Sequence, residues 1–278
     1  MFSHLAAGLD GSTGSEGALE LSLDLAQRLG SVVHGIHVLD IAFLEGSFIA
    51  DVSGAMGIEP LINLTPQVES LLADLGATIR QHFEDRCREA GVRFEFHAVR
   101  GPVAPTLATE AAGSALLVVG KRGVNAEAHG ELPGSVTERL LRISRTPVVV
   151  TPEGPDPVQR VLVGYDGSER ARRALRWGGE LARSLGAPVS VVSVAQEADA
   201  AVRTVAEAVE YLEPLGLEVR RHAASGHAPL VLEHFAEEDQ ATLVCVGSHG
   251  RHRLLEMMIG STTEAVVRRS PIPVLCVP

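Results

Sequence analysis

The C-terminal half of this chain repeats the N-terminal half, including the glycines of its loops. Three short motifs carry the repeat: Asp-Gly-Ser at 10–12 and 166–168, Val-Gly at 119–120 and 246–247, and Gly-Ser at 134–135 and 260–261. The copies are 156 residues apart at the first motif and 127 apart at the second, so the first copy holds a net 29 extra residues, mostly within 41–66. A repeat of this length predicts two copies of one domain, at 1–152 and 158–278, joined by a linker at 153–157.

Each copy alternates short β-branched runs with helical patterns, which is typical of an α/β fold with a parallel sheet covered on both faces. The fourth strand of each copy contains a continuous apolar run, as expected for a strand buried on both faces. A helix that ends at Gly186 and another from Gly260 to about Arg269 are also predicted. The predicted strands are 4–9, 32–38, 92–98, 115–119 and 147–151 in the first copy, and 160–165, 188–194, 217–223, 242–246 and 272–277 in the second.

Length and charge narrow the class of protein. A chain of 278 residues is long enough for two domains with separate cores. Its net charge of −11 argues against nucleic acid or an anionic membrane as a partner. No apolar run is long enough to span a bilayer, the N-terminus lacks the basic start of a signal peptide, and the three cysteines have no paired spacing. We therefore expect a soluble cytoplasmic protein with reduced thiols.

Ligands of open α/β sheets bind beyond the C-terminal ends of the strands, where the strand order reverses. Asp10 and Asp166 follow the first strand of their copies, and Gly120 and Gly247 follow the fourth. If the first and fourth strands are neighbours, as in the strand order 3-2-1-4-5, these motifs face each other across one crevice.

The glycine loop after the fourth strand has the features of a phosphate site. Glycines such as Gly247 and Gly250 let the main chain approach a ligand closely. The helix that opens at Gly260 offers free N–H groups and the positive end of its dipole. Basic residues complement a polyphosphate, and the loops contain six candidates. These are Lys121, the single lysine of the chain, with Arg122, His249, Arg251, His252 and Arg253. The alternative is that Gly247 only ends a strand and Ser261 only caps a helix.

Other functional motifs are absent from the sequence. It contains no phosphate-binding loop of the Gly-Lys-Ser/Thr type, no dinucleotide-binding glycine motif after a first strand, and no nucleophile elbow. His249 and His252 lack a third ligand at a metal-binding spacing. His34 and His37 have odd spacing in a strand, so they point to opposite faces of the sheet and cannot share a ligand. We expect no metal-ligating and no catalytic residue.

In these residues the chain resembles the universal stress protein family in its tandem two-domain form. Nucleotide-binding members carry Gly, two residues, Gly, nine residues, and then Gly followed by Ser or Thr. The second copy matches this pattern in full from Gly247 to Ser261. The first copy departs from it, because ten residues separate Gly123 from Gly134.

The resemblance implies two tandem five-stranded α/β sandwiches of strand order 3-2-1-4-5, of the adenine nucleotide alpha-hydrolase-like type. It implies ATP, with Mg²⁺, as the ligand. Aspartates would lie near the ribose or adenine, the backbone of the second strand would meet the adenine edge, and the glycine loops would hold the phosphates. The implied nucleotide-binding residues are Asp10, Val38, Gly120, Lys121, Arg122, Gly123, Gly134, Ser135 and Val136 in the first copy, and Asp166, Val194, Gly247, His249, Gly250, Arg251, Gly260, Ser261 and Thr262 in the second.

Family members dimerise along their last strand. Here the last strands, near 148–150 and 274–277, would pair within one chain as an intramolecular pseudo-dimer. A further homodimer of whole chains stays open.

The resemblance favours an ATP-binding protein of stress response or regulation, in which the nucleotide biases conformation or the choice of a protein partner. A slow ATP-hydrolysing enzyme is the first alternative. It is disfavoured because Asp-Gly-Ser stands where ATP-consuming relatives of the fold need a Ser-Gly-Gly type of loop. The second alternative is a scaffold without nucleotide. The intact second loop argues for binding in the second copy, and segment 41–66 would act as a lid on the first site.

Overall fold

The computed structural model of the protein describes residues 1–40, 65–124, 133–248 and 260–278. The strands are β1 (His4–Gly8), β2 (Val32–Asp40), β3 (Arg93–Gly101), β4 (Leu116–Gly120), β5 (Val148–Thr151), β6 (Val161–Gly164), β7 (Val189–Val194), β8 (Val219–Ala224), β9 (Leu243–Gly247) and β10 (Val274–Val277). The helices are α1 (Thr13–Leu29), α2 (Thr65–Glu89), α3 (Val103–Glu110), α4 (Ser135–Ile143), α5 (Glu169–Leu185), α6 (Ala198–Leu212), α7 (Ala228–Glu238) and α8 (Ser261–Arg269). Strand positions follow the sequence prediction to within three residues at each end.

All ten strands form one sheet in the order β3-β2-β1-β4-β5-β10-β9-β6-β7-β8. Each half has the order 3-2-1-4-5, so the predicted fold class and strand order are confirmed. Neighbouring strands are parallel except β5 and β10, which pair antiparallel with Val150 opposite Val274 and Val148 opposite Cys276. The predicted pairing of the last strands within one chain is therefore present, and the outer edges of the sheet are β3 and β8.

The two halves share their local folding signals. Helices α1 and α5 each begin after a serine, Ser12 and Ser168, whose side chain accepts a backbone N–H three residues on. Each ends at a glycine with left-handed backbone, Gly30 with φ of 69° and Gly186 with φ of 65°. The sequence repeat therefore includes the residues that begin and end these two helices.

The hydrophobic core consists of two layers, one on each face of the continuous sheet. One layer contains Leu5 of the first half together with Val163 of the second, and the other contains Leu117 together with Val244. Phe2 also meets Trp177 across the halves, with ring centroids 5.7 Å apart. Both layers contain residues from the two halves. Burial of apolar surface therefore stabilises the contact between the halves as well as the fold of each half.

The first half differs from the second after β2. Helix α2 has 25 residues and its counterpart α6 has 15. The predicted insertion 41–66 includes the first two residues of α2, which begins at Thr65, and its remaining part lies outside the described residues. The proposed lid falls on that part.

The three cysteines, Cys87, Cys245 and Cys276, are free and buried. Burial raises the pKa of the Cys87 thiol to about 12 and raises the pKa of the other two thiols as well. None of the helices in the described ranges combines the length and apolarity needed to cross a bilayer.

Candidate functional site

A cleft of about 400 Å³ opens at the C-terminal ends of β1, β2 and β4, where the strand order reverses. This is the place that the sequence predicted, and the volume is within the usual range for a small-molecule site. Its apolar wall comes from α2, α3 and β4, through Leu72, Leu75, Val103, Leu107 and Val119.

The end of β2 faces the cleft with its backbone. The amide of Leu9, just beyond β1, donates to the carbonyl of Ile36 at 2.9 Å. Alternate residues of a strand direct their backbone groups to the same neighbour, so Val38 points its N–H and C=O toward the side where β1 has ended. In the second half Tyr165 donates to Val192 at 2.9 Å, which gives Val194 the same orientation.

Two glycines allow backbone to meet backbone beside the cleft. A Cβ atom on Gly14, in the first turn of α1, would lie 2.0 Å from the carbonyl oxygen of Arg122. A Cβ atom on Gly120, at the end of β4, would lie 2.5 Å from the carbonyl of Gly14. The loop after β4 therefore rests directly on α1. The second half is more open here, because Arg170 stands in the place of Gly14 and lies 2.9 Å from a Cβ built on Gly247.

Asp10 lines the cleft and fastens its two loops together. Its Oδ1 accepts from the backbone N–H and the hydroxyl of Ser12, at 3.0 and 2.5 Å, and its Oδ2 accepts from the N–H of Val124 at 3.2 Å. The resemblance implied a contact with ribose or adenine for this carboxylate. The structure adds a positioning role, since both oxygens hold backbone of the cleft. Asp166 makes the matching bond to the N–H of Ser168, at 3.0 Å.

Helix α4 begins at the cleft without a side-chain cap from any described residue. Its first flanking residue is Gly134, with φ of −63° and ψ of 150°. The N–H of Gly134 donates to the carbonyl of Lys121 at 2.9 Å, and the hydroxyl of Thr137 donates to the carbonyl of Gly120 at 3.0 Å. The glycine loop thus positions the helix start but leaves the next N–H groups for a ligand.

The second half repeats this arrangement at α8. Gly260, with φ of −63° and ψ of 138°, precedes the helix, and no described side chain caps it. Its N–H donates to the carbonyl of Ser248 at 3.2 Å, and Thr263 donates to the carbonyl of Gly247 at 2.6 Å. In contrast to the serine-capped α1 and α5, these two helices begin without a side-chain cap from a described residue.

The predicted residues of the first half come together at the cleft, with one exception. Those that line it are Asp10, Val38, Gly120, Arg122, Gly123, Gly134, Ser135 and Val136. The exception is Lys121, whose ammonium group donates to the carbonyl oxygens of Arg268 and Ser270 in the second half. In this structure the side chain joins the two halves, and its contact with nucleotide phosphates stays a prediction.

In the second half, Asp166, Val194, Gly247, Gly260, Ser261 and Thr262 occupy the places that correspond to the first. His249, Gly250 and Arg251 lie outside the described residues. A difference between the halves follows β6, where Tyr165 stands in the place of Leu9 and donates to Glu207 at 2.8 Å. Burial and this carboxylate raise the pKa of Tyr165, so its phenol stays neutral.

The sequence analysis missed His37 as a cleft residue. This side chain is 5% exposed, lines the cleft, and holds the carbonyl of Leu9 through Nδ1 at 2.8 Å. Strand alternation predicted its face of the sheet but not that α2 would cover it. The Nδ1 contact is to a carbonyl rather than a hydroxyl, and none of the described cleft residues forms a serine–histidine or cysteine–histidine pair.

A second cluster, His34, His97 and Glu110, was also missed. It lies on the other face of β2 from His37, as the odd spacing predicted. Its members come from β2, β3 and α3, so no motif of fixed residue spacing in the sequence predicts this cluster.

Two open α/β units joined through their last strands, each with an uncapped helix at the switch point, define a tandem protein of the adenine nucleotide alpha-hydrolase-like class. The universal stress protein family matches residues 1–152 and 157–278. The chain belongs to this family.

One curated relative covers nearly the whole chain, and another covers 64% of it. Universal stress protein Slr1230 of Synechocystis is 27% identical over 277 residues, which cover 96% of each chain. Universal stress protein Rv1996 of Mycobacterium tuberculosis is 30% identical over 203 residues, which cover 64% of this chain and 63% of that protein. A crystal structure of a universal stress protein from Archaeoglobus fulgidus has the same fold, with a TM-score of 0.78 at 24% identity, over 100% of this chain and 96% of the other.

Proposed function

We propose that this protein binds an adenine nucleotide, ATP with Mg²⁺, and acts in stress response through the conformation or partner choice of the bound form. The observation that carries the proposal is the start of α4. Its N–H groups lack a side-chain cap among the described residues and open onto a cleft of nucleotide size. Such a helix start binds phosphate through its free donors and its dipole.

The rest of the cleft supports the same ligand. Adenine needs an apolar slot and a polar edge partner, which Leu72, Val103 and the backbone of Val38 would supply. The hydroxyl of Ser135 and the guanidinium of Arg122 would assist the helix in holding phosphates. Asp10 and Asp40 are carboxylates of the lining, and Mg²⁺ is usually bound by one or two carboxylates together with substrate phosphates.

We propose the equivalent site in the second half, formed by Asp166, Val194, Gly247, Gly260 and Ser261. The matching uncapped start of α8 supports it. The boundaries 1–152 and 158–278, with the linker 153–157, remain our proposal for the two domains. A cytoplasmic location is also a proposal, supported by the three free thiols.

We propose binding rather than turnover as the function. Hydrolysis at a useful rate needs a positioned base or an activated nucleophile, and the described residues of the cleft form no such pair. A slow ATPase is the alternative, and phosphate release well above background that one side-chain change abolishes would favour it. A scaffold without nucleotide is the second alternative.

Replacing the glycine before each helix with aspartate tests the proposal. Gly134 already has the backbone angles of a capping residue, and a Cβ there meets nothing closer than 3.8 Å. An aspartate would cap α4 and stabilise it by roughly a few tenths of a kcal/mol, while its charge occupies the phosphate position. We expect Gly134→Asp to lose ATP binding in the first half and Gly260→Asp to lose it in the second, measured by calorimetric titration with Mg²⁺.

Gly134→Asn is the matched control, because it caps the helix without adding charge. It should weaken ATP less than Gly134→Asp does, and the melting temperature should not fall in either variant. Undiminished ATP affinity and stoichiometry in the double aspartate variant would refute the proposal.

A further inference from the structure

Two histidines and a glutamate meet on the face of the first-half sheet that α3 covers. His34 lies on β2, His97 on β3, and Glu110 is the last residue of α3. A ligand atom from each lies within 4.8 Å of the other two. The cluster is separate from the nucleotide cleft, because His34 precedes Val38 by four residues, roughly 13 Å along the strand.

One nitrogen atom of the cluster lacks a hydrogen-bond partner. The Nε2 atom of His34 is buried and has no hydrogen-bond partner among the described residues. The ring of His97 stands edge-on to that of His34, with centroids 4.3 Å apart, and its Nδ1 lies 3.3 Å from the carboxylate of Glu110. Buried polar atoms in native proteins normally have a partner, so this nitrogen calls for one.

The second half shows what occupies the same corner there. In the strand register Ser190 is opposite Arg220, as His34 is opposite Glu95. Asp239, which follows α7 and is 4% exposed, accepts from Arg220 at 3.0 Å and from His222 at 2.7 Å. A carboxylate at a helix end is thus neutralised by an arginine and a histidine of the edge strand.

The first half keeps the histidine and the carboxylate but reverses the remaining charge. His97 corresponds to His222 in the strand register. Glu110 ends α3 and Asp239 directly follows α7, so a carboxylate lies at the same helix end in both halves, although the two positions are not equivalent. At the register position of Arg220 the first half has Glu95, and at the position of Ser190 it has His34. Compared with the second half, this cluster therefore lacks the arginine cation and has an additional imidazole and a second carboxylate. Among the described side chains, no cation takes the place of the arginine.

We propose that the first half binds a divalent transition-metal ion of the Zn²⁺ class through His34, His97 and Glu110, with the ion in the place of the arginine cation of the second half. Two imidazoles and one carboxylate are a common ligand set for Zn²⁺. The lining charge of Glu95 adds to the attraction. Three protein ligands leave one position for water or an external ligand.

The geometry is within reach of coordination. Ligand atoms around a tetrahedral zinc ion are roughly 3.3 Å apart, given bonds of about 2.0 Å. The side chain of His97 is 50% exposed and that of Glu110 27% exposed, so both can rotate toward His34. Burial and the neighbouring His97 lower the pKa of His34. The bound ion would connect the edge strand β3 to β2 and to the end of α3.

Zinc titration of the metal-free full-length protein, without nucleotide, tests this proposal. We expect one tight Zn²⁺ site per chain, and Co²⁺ in the same site should give the visible absorption of a tetrahedral complex. His34→Ser places the residue of the second half at this position, and Glu110→Gln keeps the shape of the side chain. Each should raise the Zn²⁺ dissociation constant at least about tenfold, and each should abolish the rise in melting temperature on adding Zn²⁺.

His82→Ala is the control for adventitious binding, because His82 forms an exposed histidine–carboxylate pair with Glu16 at 2.7 Å. It should leave the tight site unchanged. Equal Zn²⁺ affinity in wild type, His34→Ser and Glu110→Gln would overturn the proposal, as would a loss in His82→Ala as large as in the cluster variants. Since no nucleotide is present, either result is independent of ATP binding.

Discussion

Adding one methyl group at Gly14 tests how the close contact between α1 and the loop after β4 contributes to ligand binding, without changing any side chain of the cleft. Gly14→Ala places a Cβ 2.0 Å from the carbonyl oxygen of Arg122, whereas ordinary contacts begin at 3.4 Å. The oxygen belongs to the backbone and the Cβ is fixed rigidly to the Cα atom of α1, so the loop after β4 has to retreat by more than about 1 Å. The start of α4 should move with it, because Gly134 is hydrogen-bonded to the carbonyl of Lys121.

Two terms oppose each other in stability. Overpacking of this kind costs about 1–3 kcal/mol. Alanine in place of a helical glycine returns up to about 1 kcal/mol. The net loss is then about 0–3 kcal/mol, or a few degrees in melting temperature for a chain of this size. The effect on the ligand should be larger, since one lost hydrogen bond to a charged phosphate is worth about 1.5–3 kcal/mol, which is tenfold or more in affinity.

The assay is an ATP titration with Mg²⁺ in the Gly260→Asp background, so that the heat reports the first half alone. Gly76→Ala is the control for helix propensity, because its Cβ would make an ordinary contact of 3.4 Å with His37. We expect it to stabilise the protein without the tenfold loss. If Gly14→Ala binds ATP as tightly as the parent while remaining folded, the close approach does not position the phosphate site, and our reasoning about the loop is wrong.

Three further predictions concern the core, the acid limit and the thiols. Leu275→Ala, in the buried β5–β10 junction, should cost about 2–5 kcal/mol and lower a single melting transition, whereas two separated transitions in calorimetry would show that the halves unfold independently. Burial tends to raise the pKa of Asp239, but hydrogen bonds from its neighbours, His222 and Arg220 among them, outweigh burial and hold the pKa below its usual value. The stabilisation by this carboxylate is therefore present above the pKa of Asp239 in the unfolded state, about 4. It is lost as the pH falls through the lower pKa of Asp239 in the folded state. Below about pH 4 the melting temperature of the wild type should fall more steeply than that of Asp239→Asn, and parallel curves would contradict this assignment. With a thiol pKa of about 12, Cys87 is about 10⁻⁴ thiolate at pH 8. A disulfide reagent should therefore label none of the three cysteines until denaturant is added, and fast labelling of the native protein would show an exposed thiol.

The elements of the fold could be predicted because their signals are local. A serine before α1 and a glycine after it act within a few residues, and the same pair recurs at Ser168 and Gly186. Strands such as β4 are recognised by their own apolar run. The resemblance then supplied the strand order, and with it the crevice where Asp10 meets the glycine loop.

The parts that could not be predicted depend on contacts between distant segments. The direction of Lys121 follows from the antiparallel β5–β10 pairing, which brings the end of α8 beside it. The histidine cluster needs three elements whose members are far apart in the chain, from His34 to Glu110. The close contact between Gly14 and the loop after β4 depends on how closely α1 packs on β4, and a sequence pattern does not give the distance between these elements.

Pairing of β5 with β10 also has a consequence for how the two sites can evolve. In a dimer of identical single-domain chains, every substitution appears in both subunits, and assembly depends on concentration. Here one chain carries both subunits, so association is intramolecular and independent of dilution. Each site can then change without the other, as Tyr165 in the place of Leu9 and Glu95 in the place of Arg220 already show. Fusion therefore turns a symmetric assembly into one whose halves can be assigned different ligands.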